Sequence, residues 1–313
     1  MSQARFNAGL GTRQAVNVRA YPSRPKRSVR VPRQELEVKL ADLQHDYADL
    51  HTQIFEAAQV HRRLCAPRHV RFENFEIASE IFAVRHLPGD FFTVTEKSDG
   101  VILALGDICG KGLAAGMWTT HLVGLVGARV AVTSKPEAIV TGVNRDICLL
   151  KSFMPLASLF LAKLDPNTGI VKYCSAGHPP AVLLRANGEV ELLSEGGMLL
   201  GVVPAAPYVC GSFELRAGDV LMIYSDGITE SLNCTGEEFG YGRLEAQLRL
   251  AQACADDAVS SAADAVHESQ LRATQASDAN AVLFSVLGAV QDFAAACPLV
   301  DDMSLAIVRR ESR

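Results

Sequence analysis

The sequence predicts an α+β domain of mixed layers, on three features. Short apolar strands joined by tight turns fall into two groups, a pair of helices stands between the groups, and an Ala-rich helical tract precedes one last strand. That order lacks the strict strand-helix alternation of a parallel sheet, so antiparallel meanders layered with helices are expected. With 313 residues, 49% of them hydrophobic, the chain can bury one large core and still carry an appendage.

Residues 1–32 are dotted with Gly and Pro and show no apolar period, the composition of a disordered tail. Met1 to Gln34 holds eight basic residues and no Asp or Glu, so the formal charge of -5 hides a body with 22 basic against 35 acidic residues. Such a body is a poor ligand for nucleic acid, whereas the tail suits an acidic partner. An Arg-rich, acid-free start also occurs in transit peptides, but the turn formers speak against that. A linker helix is predicted over residues 33–66. Leu36, Leu40, Leu43, Tyr47, Leu50, Ile54, Ala57, His61 and Leu64 follow one another at alternating steps of four and three, a heptad seam. A coiled coil is expected, most simply a parallel homodimer. The alternative is a single amphipathic helix packed on its own domain, with His61 as the weak point of the seam.

The main domain is expected over residues 72–313. Residues 75–85, 91–96 and 101–105 read as strands, the last two joined by the hairpin turn Ser98-Asp99-Gly100. Helices follow over 113–132 and 136–153, with Ser134 or Thr133 as N-cap of the second and Pro136 in its first turn. Strands return at 157–164, 170–175, 181–185 and 190–193, divided by turns such as Asp165-Pro166-Asn167-Thr168-Gly169 and Asn187-Gly188, then at 213–215 and 219–224. A helical tract from 242 to about 295, with a polar break near 276–280, leads to a closing strand at 303–309.

Eight cysteines occur without any C-x-x-C pair, and no signal peptide is evident, so reduced thiols and a cytoplasmic location are expected. The most apolar stretch, residues 118–132, is interrupted by His121 and Arg129 and is too short for a bilayer, so no membrane insertion is expected.

Chemistry is signalled by aspartates at the edges of apolar runs. Gly106-Asp107 ends one strand and leads through Gly110-Lys111-Gly112 into a helix; Gly89-Asp90, Ser225-Asp226-Gly227 and Asp301-Asp302 are comparable junctions. Asp is disfavoured inside strands, whereas strand ends and glycine turns let side chains and backbone approach a ligand. Asp107 alone could cap the following turn. Four such junctions instead suggest one shared site, and hard oxygen ligands suit Mg²⁺ or Mn²⁺.

Six ordered motifs carry a resemblance to the PP2C-type (PPM) serine/threonine phosphatases, most similar to their bacterial SpoIIE/RsbU branch. They are Gly89-Asp90-Phe91-Phe92, Gly106 through Gly112, Leu164 through Gly169, Ser175-Ala176-Gly177-His178-Pro179-Pro180, Gly218-Asp219 through Glu230, and Asp301-Asp302-Met303-Ser304. The resemblance runs from about Phe75 to Arg310, and the preceding helix resembles the linker helix common in this branch. It implies a four-layer α/β/β/α sandwich with two divalent cations, Mn²⁺ or Mg²⁺, between two central antiparallel sheets. By the same resemblance Asp107 bridges both cations, the Ile108 carbonyl reaches one, Asp226 and Asp301 complete the other, and Asp90 binds directly or through water. Asp107, Asp226 and Asp301 become the catalytic set. Gly110 and Lys111 are expected near the substrate phosphate, with a solvent-facing Lys111 as the alternative.

Two positions depart from the family pattern. Pro88 replaces a glycine ahead of Gly89-Asp90, and Cys109 stands where eukaryotic relatives have a histidine. Cys109 is expected to be a small core residue and His178 to hold its turn by a hydrogen bond rather than act as an acid. Cys65 to Arg71 satisfies a C-x5-R spacing but lacks a glycine cradle, and Gly106 to Lys111 is too short for a Walker loop. The implied function is dephosphorylation of a phosphoserine or phosphothreonine protein, with a STAS-type anti-sigma-factor antagonist as the suspected substrate. The competing expectation is a catalytically inactive binding module that signals through its coiled coil. No sensory domain fits before Phe75, so regulation is expected to come through the helix, the tail or a second protein.

Overall fold

The computed structural model describes residues 32–65, 69–150, 155–263, 278–295 and 297–311. The basic tail, the end of the second predicted domain helix and the first two residues of the polar break at 276–280 lie outside the described residues. The chain divides into two compact units, Met1–Leu50 and His51–Arg313. Helix α1 (Arg33–Cys65) supplies the described part of the first unit and opens the second. In the first unit Leu36, Leu40, Leu43, Tyr47 and Leu50 are each more than half exposed. Arg33–Glu37 and Lys39–Glu35 pair at 2.7 Å along the helix surface.

In the second unit the last turns of α1 face inward through Ile54, Ala58, His61 and Cys65. Ile54 and His61 lie on the predicted seam, whereas Ala57 and Leu64 stay exposed and the residues after them, Ala58 and Cys65, turn inward instead. One sheet has the order β1 (His69–Phe72), β2 (Phe75–Phe82), β12 (Met303–Arg310), β11 (Val220–Tyr224), β7 (Ala181–Leu184), β8 (Val190–Leu193). The other has the order β10 (Gly211–Glu214), β6 (Ile170–Ala176), β5 (Ala157–Leu164), β4 (Gly100–Ile108), β3 (Phe91–Lys97), with β9 (Gly196–Gly197) beside β6. All pairings are antiparallel except β6 with β9.

The strands read as unbroken apolar runs because both faces of each sheet are covered. Leu103, Leu105 and Phe160 from one sheet meet Leu221, Ile223 and Val308 from the other, all buried. The alternate residues Ile102, Ala104 and Leu161 turn outward onto α2 (Leu113–Val132) and α3 (Pro136–Leu149) through Leu122, Val126, Ile139 and Val143. Met222, Leu305 and Ile307 likewise pack on Leu244 and Leu248 of α5 (Gly240–Ala263) and on Val282 and Val286 of α6 (Asp278–Ala294). The expected helix-sheet-sheet-helix layering results.

Several boundaries differ from expectation. Strand β2 ends at Phe82, not at residue 85, because the Val84 amide turns away to donate to Asp302. The hairpin strand β1, the two-residue β9 and the short helix α4 (Asp226–Thr229) were not anticipated, being too short for a period to register. Lys135, not Ser134 or Thr133, takes the N-cap position of α3; Ser134 donates to Asp99 instead, at 3.1 Å. Ile223 is fully buried between the sheets, so Ile223→Ala should lower unfolding free energy by about 2–5 kcal/mol in urea denaturation.

Candidate active site

Strand register brings the predicted aspartates to one edge of the sandwich. Asp107 is paired with Ser158 across β4 and β5, and Phe91 pairs with Gly106, which sets Asp90 beside the end of β4. In the other sheet Tyr224 pairs with Leu305, and the Ser225 amide donates to the Ser304 carbonyl at 3.0 Å, so Asp226 emerges next to Asp301 and Asp302. The Ser304 hydroxyl donates to Asp90, a hydrogen bond that joins the two sheets.

Burial and mutual repulsion govern these acids. Asp90 is almost fully buried, and burial followed by the nearby Asp107 charge raises its pKa well above the carboxylate range. Burial pushes Asp107 up to about 6, with Asp226, Asp301 and Asp302 adding to the rise. Asp226 is raised by burial and then by Asp301. Asp302 is raised by burial although it accepts from the Val84 and Gly89 amides, each at 2.7 Å. Those two bonds occupy both Asp302 oxygens and fasten the 83–90 loop, whereas Asp301 is left facing the edge. Lys111, expected near substrate phosphate or solvent, is partly exposed and reaches Asp301 at 2.7 Å, donating also to the Val300 carbonyl at 2.6 Å.

Among the described residues no three His, Cys, Asp or Glu side chains close on a point as a finished metal cage does. The donor set nevertheless suits a hard cation, because backbone oxygens take part. A Cβ placed on Gly89 would lie 3.2 Å from Asp107 Oδ1, 3.2 Å from the Ile108 carbonyl and 3.3 Å from the Gly110 carbonyl. Three oxygens thus crowd the space beside the Gly89 Cα, where a side chain would fit only if they gave way by a few tenths of an ångström, and the Thr119 hydroxyl holds the Gly89 carbonyl from α2 at 2.7 Å. An open cluster of few carboxylates matches Mg²⁺ and its relatives, which keep several waters.

Beside these acids lies a cleft of about 410 Å³ lined by Asp107, Cys109, Ser158, His178, Leu199 and Asp226 among others. Cys109 is exposed there, not in the core as expected, and burial followed by Asp107 raises its thiol pKa. His178 is buried; its Nδ1 is 2.8 Å from the Ser158 hydroxyl, while its backbone amide donates to Ser175 Oγ at 3.3 Å. Burial drives its pKa down to about 3, which keeps the ring neutral and fits the expected holding role. Cys65 is buried and pushed up to about 12, and Arg71 pairs with Glu76 at 3.1 Å, so the C-x5-R pair forms no thiolate cradle. Ser158, Ser225, Thr119 and the clamping role of Asp302 escaped the sequence reading. Only the serine directly before Asp226 gave any local signal.

Because the folded chain holds the Asp107 proton to about pH 6 against an ordinary 3.8, it binds more protons than the unfolded chain between those values. Stability of the metal-free chain should therefore fall as pH rises through that window and level off above it. Asp107→Asn should flatten this slope and stabilise the metal-free chain at pH 7 by on the order of 2 kcal/mol, read by denaturation in EDTA. An unchanged slope would show that Asp107 carries no such burden.

Known proteins resemble this chain in sequence and in fold. Protein IcfG of Synechocystis sp. is 24% identical over 200 residues, which cover 55% of this chain and 32% of IcfG. Phosphoserine phosphatase RsbU of Bacillus subtilis is 22% identical over 183 residues, 58% of this chain and 55% of RsbU. The matches thus take in about a third to a half of these curated relatives. The SiaA PP2C domain of Pseudomonas aeruginosa superposes with a TM-score of 0.66 at 15% identity, covering 85% of this chain and 99% of that domain. The family described as Stage II sporulation protein E matches residues 97–311, and on that match the chain belongs to the SpoIIE family, with a PP2C fold.

Proposed function

We propose that this protein is a metal-dependent phosphatase that hydrolyses phosphoserine or phosphothreonine on a protein substrate. The observation that carries the proposal is the convergence of Asp107, the Ile108 carbonyl and the Gly110 carbonyl around the Gly89 backbone, beside Asp90 and Asp226. Two divalent cations, Mn²⁺ or Mg²⁺, would supply a nucleophile from water at neutral pH and charge to offset the phosphate dianion. Asp107 is assigned to both cations and Ile108 O to one of them. Asp226 and Asp301 are assigned to the other, and Asp90 to direct or water-mediated contact.

The chain's own contribution is placement. Asp302 spends its oxygens on the 83–90 loop, which fixes where Asp90 stands. Ser304 fixes the Asp90 carboxylate itself. Backbone amides of the Gly110-Lys111-Gly112 turn, at the start of α2, are assigned to the phosphate oxygens. His178 is neutral and bound to Ser158, so it is assigned to holding the cleft wall and not to proton transfer.

A STAS-type anti-sigma-factor antagonist is the proposed substrate, an assignment supported by the relation to RsbU, whose name is that of a phosphoserine phosphatase. A homodimer through α1, with the helix controlling assembly or activity, is supported by the exposed leucines of its first half. We assign the protein to the cytoplasm; its eight cysteines are free, and no described helix is long and apolar enough to cross a membrane.

Hydrolysis of p-nitrophenyl phosphate should require Mn²⁺ and fall by on the order of 10²-fold or more in Asp107→Asn and Asp226→Asn. Turnover by both variants at the wild-type rate would sink the site assignment. A phosphorylated STAS domain should be preferred over a phosphotyrosine peptide, and the opposite preference would remove the substrate assignment. In sedimentation the full chain should run as a dimer and a chain starting at Arg71 as a monomer; two monomers would end the dimer proposal.

A further inference from the structure

Lys111 is held in a way that substrate binding does not explain. It sits between Gly110 and Gly112, whose φ values of 138° and 83° belong to glycine, and this turn carries its side chain from the end of β4 across to the segment before β12. There Nζ lies 2.7 Å from Asp301 Oδ2 and donates to the Val300 carbonyl at 2.6 Å. The other Asp301 oxygen accepts from the Asp302 amide at 2.9 Å, so both carboxylate oxygens are engaged. Both side chains remain more than a third exposed.

We propose that Lys111 is an internal counter-ion for Asp301 that a divalent cation must displace, and that it thereby sets the metal affinity of the Asp301 site. The inference rests on the assignment of Asp301 as a metal ligand. The ammonium neutralises the carboxylate while the site is empty of metal, and whatever this pairing contributes to the metal-free chain is subtracted from cation binding. An exposed ion pair contributes little, so the latch is one that a divalent cation can open. Opening it frees the Lys111 side chain and couples cation binding at Asp301 to the turn at the start of α2. Arg85 is a nearby comparison: its Cδ lies 3.3 Å from where a Gly112 Cβ would stand, so it flanks the same turn, while among the described residues the ion pair of Asp301 is with Lys111.

The test is calorimetric titration of the EDTA-stripped full chain with Mn²⁺, beside Lys111→Met, Lys111→Arg and Arg85→Met, with melting curves confirming that each variant folds. Removing the latch should tighten the weaker class of sites about two- to fivefold in Lys111→Met, while Lys111→Arg and Arg85→Met bind like wild type. Unchanged or weaker binding by Lys111→Met overturns the proposal. Equal tightening by Arg85→Met also overturns it, since the effect would then be one of general charge. Wild type that binds no Mn²⁺ overturns both this proposal and the metal assignment beneath it, a result distinct from the other two.

Discussion

Repulsion among carboxylates gathered at one edge of the sandwich conditions the rest of the molecule. Asp90, Asp107, Asp226, Asp301 and Asp302 come from both sheets, and burial raises the pKa of four of them. Two unit charges 4 Å apart at an effective dielectric of 20 repel by about 4 kcal/mol, enough to open a loosely packed edge. The edge stays closed because the layer behind it is filled by residues such as Phe160, Leu103 and Ile223, and because individual hydrogen bonds oppose the repulsion. Ser304 donates to Asp90, two loop amides donate to Asp302, and Lys111 pairs with Asp301. Asp107 and Asp226 have less compensation of this kind, and they are the residues through which a cation would relieve the most strain.

Bringing acids from two sheets together also demands that backbones touch. Gly227, directly after Asp226, packs so closely on the chain at Asp302 that a Cβ would lie 2.0 Å from its carbonyl oxygen. Gly89 is a milder case, since a Cβ there would lie 3.2 Å from Asp107 Oδ1 and from the Ile108 carbonyl, tight but short of a clash. At Gly227 the glycine next to an aspartate is a packing requirement: a side chain there would push apart the carboxylates that the strands deliver. The Asp-Gly and Gly-Asp pairs in the sequence therefore encode proximity as well as turning.

The layers were legible because hydrophobic runs and turn residues are local signals. Helix α2 begins and ends where the sequence places it, and β5 and β8 likewise. The acids were legible as types, since Asp at a strand edge is unusual. Their division of labour was not, because it depends on contacts between residues far apart in sequence: Asp302 with Val84 and Gly89, Lys111 with Asp301, Ser304 with Asp90. Cys109 was misread for the same reason. A small residue after an apolar strand looks like core, and only the placement of Asp107 and His178 around it makes that position a cleft wall.

Helix α1 marks the point at which period ceases to discriminate. A heptad line is equally consistent with a partner helix and with the helix's own domain, and the two halves of α1 differ in burial. From Ile54 to Cys65 the buried stripe keeps Ile54 and His61 of the seam but takes Ala58 and Cys65 in place of Ala57 and Leu64, a drift in the direction expected of 3.6 residues per turn against a 3.5-residue repeat. From Leu36 to Leu50 the stripe is leucine-rich and exposed. Leucine adds nothing to the propensity of a lone helix that alanine would not supply, and each surface pair such as Arg33–Glu37 adds only about 0.2–0.5 kcal/mol. Apolar area left in water forfeits about 25 cal/mol per Å² of available stabilisation. A seam of that composition gains its value on association, so the weight of the dimer proposal rests on which residues line the first half of α1 and not on the helix being long.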